Sequence, residues 1–419
     1  MSATFANVQA ALKEDYQPVL RDQINQQFFL FQQIEKNTTK FEGRRAIHAI
    51  HTTRNSGVGN RGTGGTLPTA GNQGYSQVKI PTRRVYGVGK IERSLMKAMA
   101  SNKGSFTRGL SSEMDGVRKD TIRDVNRQYW GTSDGVIAAC DTTSASTTVQ
   151  LASTTTETQI LQLFADGGMT VDIGTVASPT AVDSALTVSD YDLTNKTITV
   201  SSAVTTTSSH RIFRSGNGGA TDDSGDEDDG QLELTGLQTI VDDTAVLHTL
   251  DPASVITWAS YVNDNSGTNR AWSETEAVKV CQTVEKRSGE FVDIGISGDG
   301  VWRAIAAWYA SQRRQLDTVE LKGGYSGVKF SASGEMLRPG QKPKAMVWER
   351  DCPENKQFWL STNCLVKHEL SDFEFVDDDG NVLDRSGTTD DFEFRLAAYI
   401  ELGCVQRNAH GLYGDITAA

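Results

Sequence analysis

Gly57-Val58-Gly59-Asn60-Arg61-Gly62-Thr63-Gly64-Gly65-Thr66-Leu67-Pro68-Thr69-Ala70-Gly71 carries six glycines in fifteen residues. Its first six residues fit G-x-G-x-x-G, the fingerprint of a dinucleotide site. Such a site needs a strand before the glycines and a helix opening after them, because the helix N-terminus holds the pyrophosphate. Here the glycines run into Thr63-Gly64-Gly65-Thr66-Leu67-Pro68, which cannot open a helix. Alternating runs flank the stretch, Arg45-Ala46-Ile47-His48-Ala49-Ile50-His51 before it and Val78-Lys79-Ile80 after it. Two strands joined by a long glycine loop predict an extended hairpin and no cofactor cradle.

The charge around this hairpin is opposite to that of the chain. The 419 residues carry a net charge of −12. Residues 40–97 hold eleven Lys/Arg and two Glu, a local +9, so the remainder carries −21. The acidic total argues against tight binding to nucleic acid or anionic membrane over the whole surface. The basic hairpin, residues 44–91, contains only Tyr75 and Tyr86 as aromatics, too few for base stacking. A basic arm on an acidic body suits association with another copy through unlike surfaces.

The rest of the chain reads as several units. Hydrophobic residues at 37% with 39 Gly reach the ordinary globular range, so real cores are expected. Residues 6–36 have helical spacing interrupted by Pro18, and the run Phe28-Phe29-Leu30-Phe31 needs a surface to cover it. Residues 105–130 predict a long helix: Ser105 can cap it, Gly131 ends it, and Phe106, Leu110, Met114, Val117, Thr121, Val125 and Tyr129 form one stripe. Arg118, Lys119, Asp120, Arg123, Asp124 and Arg127 occupy the opposite face. Residues 141–220 are Ser/Thr-rich with short β runs, which predicts a small barrel or sandwich ending in the acidic linker Asp222–Gly230. Residues 231–335 read α/β, with helices over 273–287 and 299–314 and a strand over 291–296; strands return over 344–405, with a hairpin signal at Asp379-Gly380.

No chemistry stands out. The acidic runs fail the calcium-loop spacing, because aligning Gly380 or Gly230 to the sixth position leaves Phe375 or Gly225 at the first. The six histidines show no zinc spacing, and His48 and His51 fall on opposite faces of their strand. No G-x-S-x-G occurs; five widely spaced cysteines read as buried free thiols in a reducing cytoplasm, and no apolar run nears the ~20 residues of a membrane span. No catalytic, cofactor or metal residue is assigned, and the chain reads as a non-enzyme that needs no cofactor.

The order of these parts resembles the major capsid protein of tailed bacteriophages, the Hong-Kong-97-type fold also found in encapsulins. The Gly-rich 57–71 looks like that family's extended loop, and Gly104-Ser105-Phe106 through Asp124-Val125-Asn126-Arg127-Gln128 looks like its spine helix. Residues 164–214 look like a β insertion seen in some members. Thr235-Gly236-Leu237 with Ile240-Val241-Asp242-Asp243, Asp351-Cys352-Pro353 and Arg407-Asn408-Ala409-His410-Gly411 complete the series. The resemblance implies an α+β fold with an N-terminal arm (1–48), an extended loop (49–90), a peripheral domain (91–140 and 340–405) with a spine helix (105–130), an inserted β-barrel-like domain (141–230) and an axial domain (231–339 and 406–419). It implies self-assembly as hexamers and pentamers into an icosahedral virion shell around double-stranded DNA, enclosed without sequence-specific binding. It also implies synthesis in the host bacterial cytoplasm, a separate scaffolding protein or a segment already removed, a portal and decoration proteins, and no membrane. Phe28, Phe29, Phe31, Arg44, Arg45, Arg54, Arg61, Lys79, Arg83 and Arg84 are the expected contacts between subunits. Some members crosslink through Lys and Asn; Lys79 and Lys90 have the location for it, and no pair is assigned. Two other readings stay open: an encapsulin-like compartment shell, and a glycan-binding or hydrolytic β protein using residues 141–220.

Overall fold

The computed structural model describes residues 29–35, 38–94, 103–164, 168–219, 231–311, 318–320, 326–330, 344–377, 382–385 and 389–418. The expected helical pattern before Phe28, Phe28 itself, the acidic run 222–230 and the Asp379-Gly380 turn lie outside these residues.

The glycine loop closes a hairpin as its flanks require. Arg45–Thr53 pairs antiparallel with Gly74–Pro81, with Arg45 opposite Pro81 and His51 opposite Tyr75. Only its base is buried, through Ala46, Val78 and Ile80. The chain then turns at Thr82 into the strand Arg83–Glu92, which pairs with Asp391–Cys404 in a five-stranded sheet. That sheet also takes Leu365–Phe375, the short parallel strand Thr38–Lys40 and Asp384–Arg385.

The long helix runs from Lys103 to Tyr129, 27 residues or about 40 Å. It ends by tightened bonds, Trp130 N–H to the Arg127 carbonyl and Gly131 N–H to that of Gln128. Gly131 therefore does not act as a left-handed cap. Within the expected stripe, Thr121, Val125 and Tyr129 are buried, whereas Val117 and Met114 are half-buried. The polar face departs from the sequence expectation: Arg118, Lys119 and Asp120 are exposed, but Arg123 and Arg127 are buried. Arg127 is clasped by Asp124 and Glu233, so the C-terminal half of the helix is covered on both sides.

Arm residues Phe29–Glu35 form a short helix that lays Phe29, Leu30, Phe31 and Ile34 into the central core beside Tyr129 and Leu402. Burying four such side chains is worth about 6–12 kcal/mol. Ordering seven residues costs about 7–14 kcal/mol. The docking of this helix is close to balance, and its polar anchors decide it.

Residues 136–214 build a unit of their own. Six strands run in the order Val136–Ala139, Arg211–Arg214, Thr170–Thr175, Ser178–Asp192, Thr197–Thr206, Thr143–Gln150. The two outer strands are consecutive in the chain and meet through Cys140 opposite Leu151 and the Asp141 N–H bonded to the Gln150 carbonyl, so the sheet curls toward closure. Val149, Leu163, Val171, Val188, Ile198 and Ile212 fill it.

The remaining lobe is a seven-stranded mixed sheet, ordered Tyr261–Asn263, Gly411–Tyr413, Gln357–Leu360, Ile294–Ser297, Lys344–Trp348, Ser326–Phe330, Thr318–Glu320. Helices Glu274–Ser288 and Asp299–Ser311 supply buried side chains to its core. Gly289 at φ +77° ends the first of them. Residues 344–360 were expected in the peripheral domain, yet both their strands pair with Ile294–Ser297. Sheet membership changes at the turn Thr362–Cys364, where the chain leaves this lobe for the five-stranded sheet.

Candidate assembly surface

From Arg54 to Gln73 no residue is buried. Asn55 Oδ1 accepts the Gly57 N–H at 2.6 Å, and the Arg61 guanidinium donates to the Asn60 and Thr66 carbonyls, both at 2.9 Å. These local bonds shape the loop without burying it. Val58 is 84% and Leu67 81% exposed, and Ile47 and Tyr75 are exposed on the strands below. Val58 and Leu67 are the two large aliphatic residues of the glycine stretch. Sequence reasoning passed over them because it followed charge; a bulky apolar side chain in a polar glycine loop was the available signal.

The hairpin base is wedged on three imidazoles. His48 turns inward and its ring lies 5.0 Å from that of His368. His368 is fully buried, and neither ring nitrogen has a hydrogen-bond partner among the described residues. Gly403 makes room for it, since a Cβ there would strike the His368 ring and Ile80. His248 accepts the Cys404 N–H at Nε2, and its own carbonyl accepts the Lys79 N–H of the hairpin. Burial, then the neighbouring His48, pushes His368 down to about 4. Burial, then His368, Arg407 and Arg83, pushes His248 down to about 3. Burial also lowers His48. His51, on the other face, is exposed and bonds Gln73 at 2.6 Å.

The expected contact residues divide. Phe28 lies outside the described residues. Phe29 and Phe31 are buried within their own chain: the surface they needed is the chain's own core. Arg83 is likewise internal, bonding Glu401 at 3.2 Å with both side chains buried. Arg44, Arg54, Arg61 and Arg84 are exposed, and Arg45 and Lys79 half-buried. The basic excess is partly answered inside the chain, since Lys40, Lys90 and Arg93 pair with Glu369, Asp391 and Asp390 at 3.3, 2.6 and 3.1 Å.

Segments far apart in sequence meet beneath this surface. Arg407 is buried and donates to the carbonyls of Ile240, Ala245 and Thr239 at 2.9, 2.7 and 2.9 Å. Gly236 packs so closely on the Gly131 carbonyl at the end of the long helix that no side chain fits there. All five cysteines are buried and none is in a disulfide. Among the described residues, no three His, Cys, Asp or Glu side chains are placed to share a metal ion, and no helix is long and apolar enough to cross a membrane.

No family model and no curated protein matches the sequence. Among solved structures the chain is similar to the capsid asymmetric unit of cyanophage A-1(L), with a TM-score of 0.55 and 11% identity over 99% of this chain and 100% of that one. This is the Hong-Kong-97-type phage capsid fold. The capsid of a native GTA particle (TM-score 0.49, 9% identity, 100% of this chain and 99% of that one) and the holo-SrpI encapsulin of Synechococcus elongatus (0.48, 7%, 100% and 96%) are also similar, at a level on which no argument rests.

Proposed function

We propose that this chain is the major capsid protein of a tailed phage, the repeating subunit of an icosahedral shell around double-stranded DNA. The observation that carries the reading is the loop from Arg54 to Gln73, which stands away from its own chain with Val58 and Leu67 exposed at its far end. Water-exposed aliphatic side chains on a projecting loop gain by burial against another molecule. A subunit with such a loop, on a capsid fold, buries it on the next copy. Repeated weak contacts then multiply when the shell closes. In this reading the chemistry is contact alone, with no catalytic step. Hexamers and pentamers, a separate scaffolding protein, a portal and decoration proteins belong to the same proposal, as do virion location and synthesis in the host bacterial cytoplasm. DNA would be enclosed, not gripped.

Deleting Asn55–Gly71 tests it. The subunit is expected to fold with an unchanged unfolding midpoint and to form no shells in electron micrographs. Normal shells from the deletion would sink the proposal. Particles from the intact chain that contain an enzyme cargo and no DNA would replace the phage reading with a compartment shell.

A further inference from the structure

The arm helix enters the core over a pair of buried carboxyl groups. Glu349 and Asp351 lie on the turn that follows the strand Lys344–Trp348, and both are buried. The Asn126 amide of the long helix joins them, its Nδ2 donating to Glu349 Oε1 at 3.1 Å and to Asp351 Oδ2 at 2.9 Å. The other end of the same amide holds the arm: Asn126 Oδ1 accepts the Phe31 N–H at 3.1 Å. The Leu30 N–H bonds the Glu349 carboxyl. Glu349 thus touches the arm directly and, through Asn126, a second time.

Two acids sharing one amide cannot both ionise cheaply in a dry site. Glu349 Oε2 has no hydrogen-bond partner among the described residues, so no donor at that oxygen stabilises a second negative charge. Other groups face the pair. Arg350 reaches Asp351 at 3.7 Å. Arg123, Arg127 and Asp124 of the long helix line the same crevice as Asp351, and Arg127 is already engaged with Asp124 and Glu233. Gln162 of the insertion donates to Asp351 at 3.4 Å. Cys352 and Lys356 stand behind, also buried or nearly so.

We propose that Glu349, Asp351 and Asn126 form a protonation-dependent latch for the arm: one proton held by the carboxyl pair locks Phe29–Glu35 onto the core, and loss of that proton to solvent releases it. Burial first, then the Asp351 charge, pushes the Glu349 carboxyl up to about 8, despite the opposing help of Asn126, Leu30 and Arg350. The latch therefore loosens as pH rises toward about 8. It acts on a helix whose apolar docking is near balance, so a polar anchor can decide its state. Between the ordinary carboxyl value of 4.5 and about 8 the docked-to-released ratio falls about tenfold per pH unit, and above that it levels off.

The test is amide hydrogen exchange on the purified full chain, comparing Leu30–Ile34 with Thr121–Tyr129 of the long helix as an internal reference. Between pH 6.5 and 9, protection of the arm relative to that reference is expected to fall about thirtyfold, nearly all of it below pH 8. Glu349→Gln keeps both hydrogen bonds and cannot ionise, so its arm protection should stay level. Asp351→Asn removes the repulsion and leaves the burial, so its fall should be smaller than in the unmodified chain, which keeps the test open if the first variant does not fold. Level protection in the unmodified chain, or the same fall in whichever variant folds, would overturn the latch.

Discussion

At the scale of single residues, the informative groups are buried polar ones that no spacing rule singles out. His368 sits in a β run that reads as ordinary core, and its ring nitrogens have no partner among the described residues. Its depressed titration has a definite sign. The folded protein holds it neutral down to about pH 4, whereas an unfolded chain protonates it near its ordinary value of 6.5. Its contribution is full above pH 6.5 and is lost as pH falls through about 4. That loss is on the order of 3 kcal/mol. His368→Phe keeps an aromatic ring of similar size and discards the proton site. Its unfolding free energy, from denaturant titration, should match or exceed the original at pH 7 and lead it increasingly between pH 6 and 4. A variant that lost stability equally at both ends of that range would show that the imidazole has a partner it cannot spare.

At the scale of elements, the decisive packing is strand Arg83–Glu92 against the long helix. Gly87 faces Thr121 and Val117, and Gly89 lies under the ring of Phe394, leaving no room for a Cβ at either position. Gly89→Ala should therefore cost about 1–3 kcal/mol. Thermal unfolding would register this as a lowered midpoint, and an unchanged midpoint would mean that the Phe394 ring can step aside freely. As a half-buried residue at a groove beside Gly87, Val117→Asp is less damaging than a charge placed at the fully buried Val125. The existence of this helix was plain from its period. The burial of Arg123 and Arg127 was not, because helical spacing records one face and here the insertion and residues 231–236 cover the other.

At the scale of the whole molecule, the charge contrast is smaller than composition suggests. Within the basic segment of +9, at least four cations, Lys40, Arg83, Lys90 and Arg93, are set against acids on or beside the five-stranded sheet. In the proposed assembly, apolar contact at the loop is then expected to outweigh steering by charge. Val58→Asp combined with Leu67→Asp should leave subunit stability within about 0.5 kcal/mol, since both sites are exposed. Light scattering should show assembly abolished. Raising salt should weaken assembly of the unaltered chain only modestly, because screening acts over about 8 Å at physiological ionic strength and touches only the exposed pairs. Normal assembly by the double variant would return the weight to electrostatics.

The sequence by itself determined the order of the parts. Glycine density made a loop of residues 57–71, a 3.6-residue period made a helix near 105–130, and alternation made the strands, because each depends only on neighbours along the chain. Only the tertiary structure decided which side chains meet. Phe29 and Phe31 are internal, Arg83 answers Glu401, strands 344–348 and 357–360 join the α/β sheet, and Asn126 joins Glu349, Asp351 and the arm. These contacts link residues up to 318 positions apart. Their energy comes from burial and from paired charges in a dry interior, which no local pattern records.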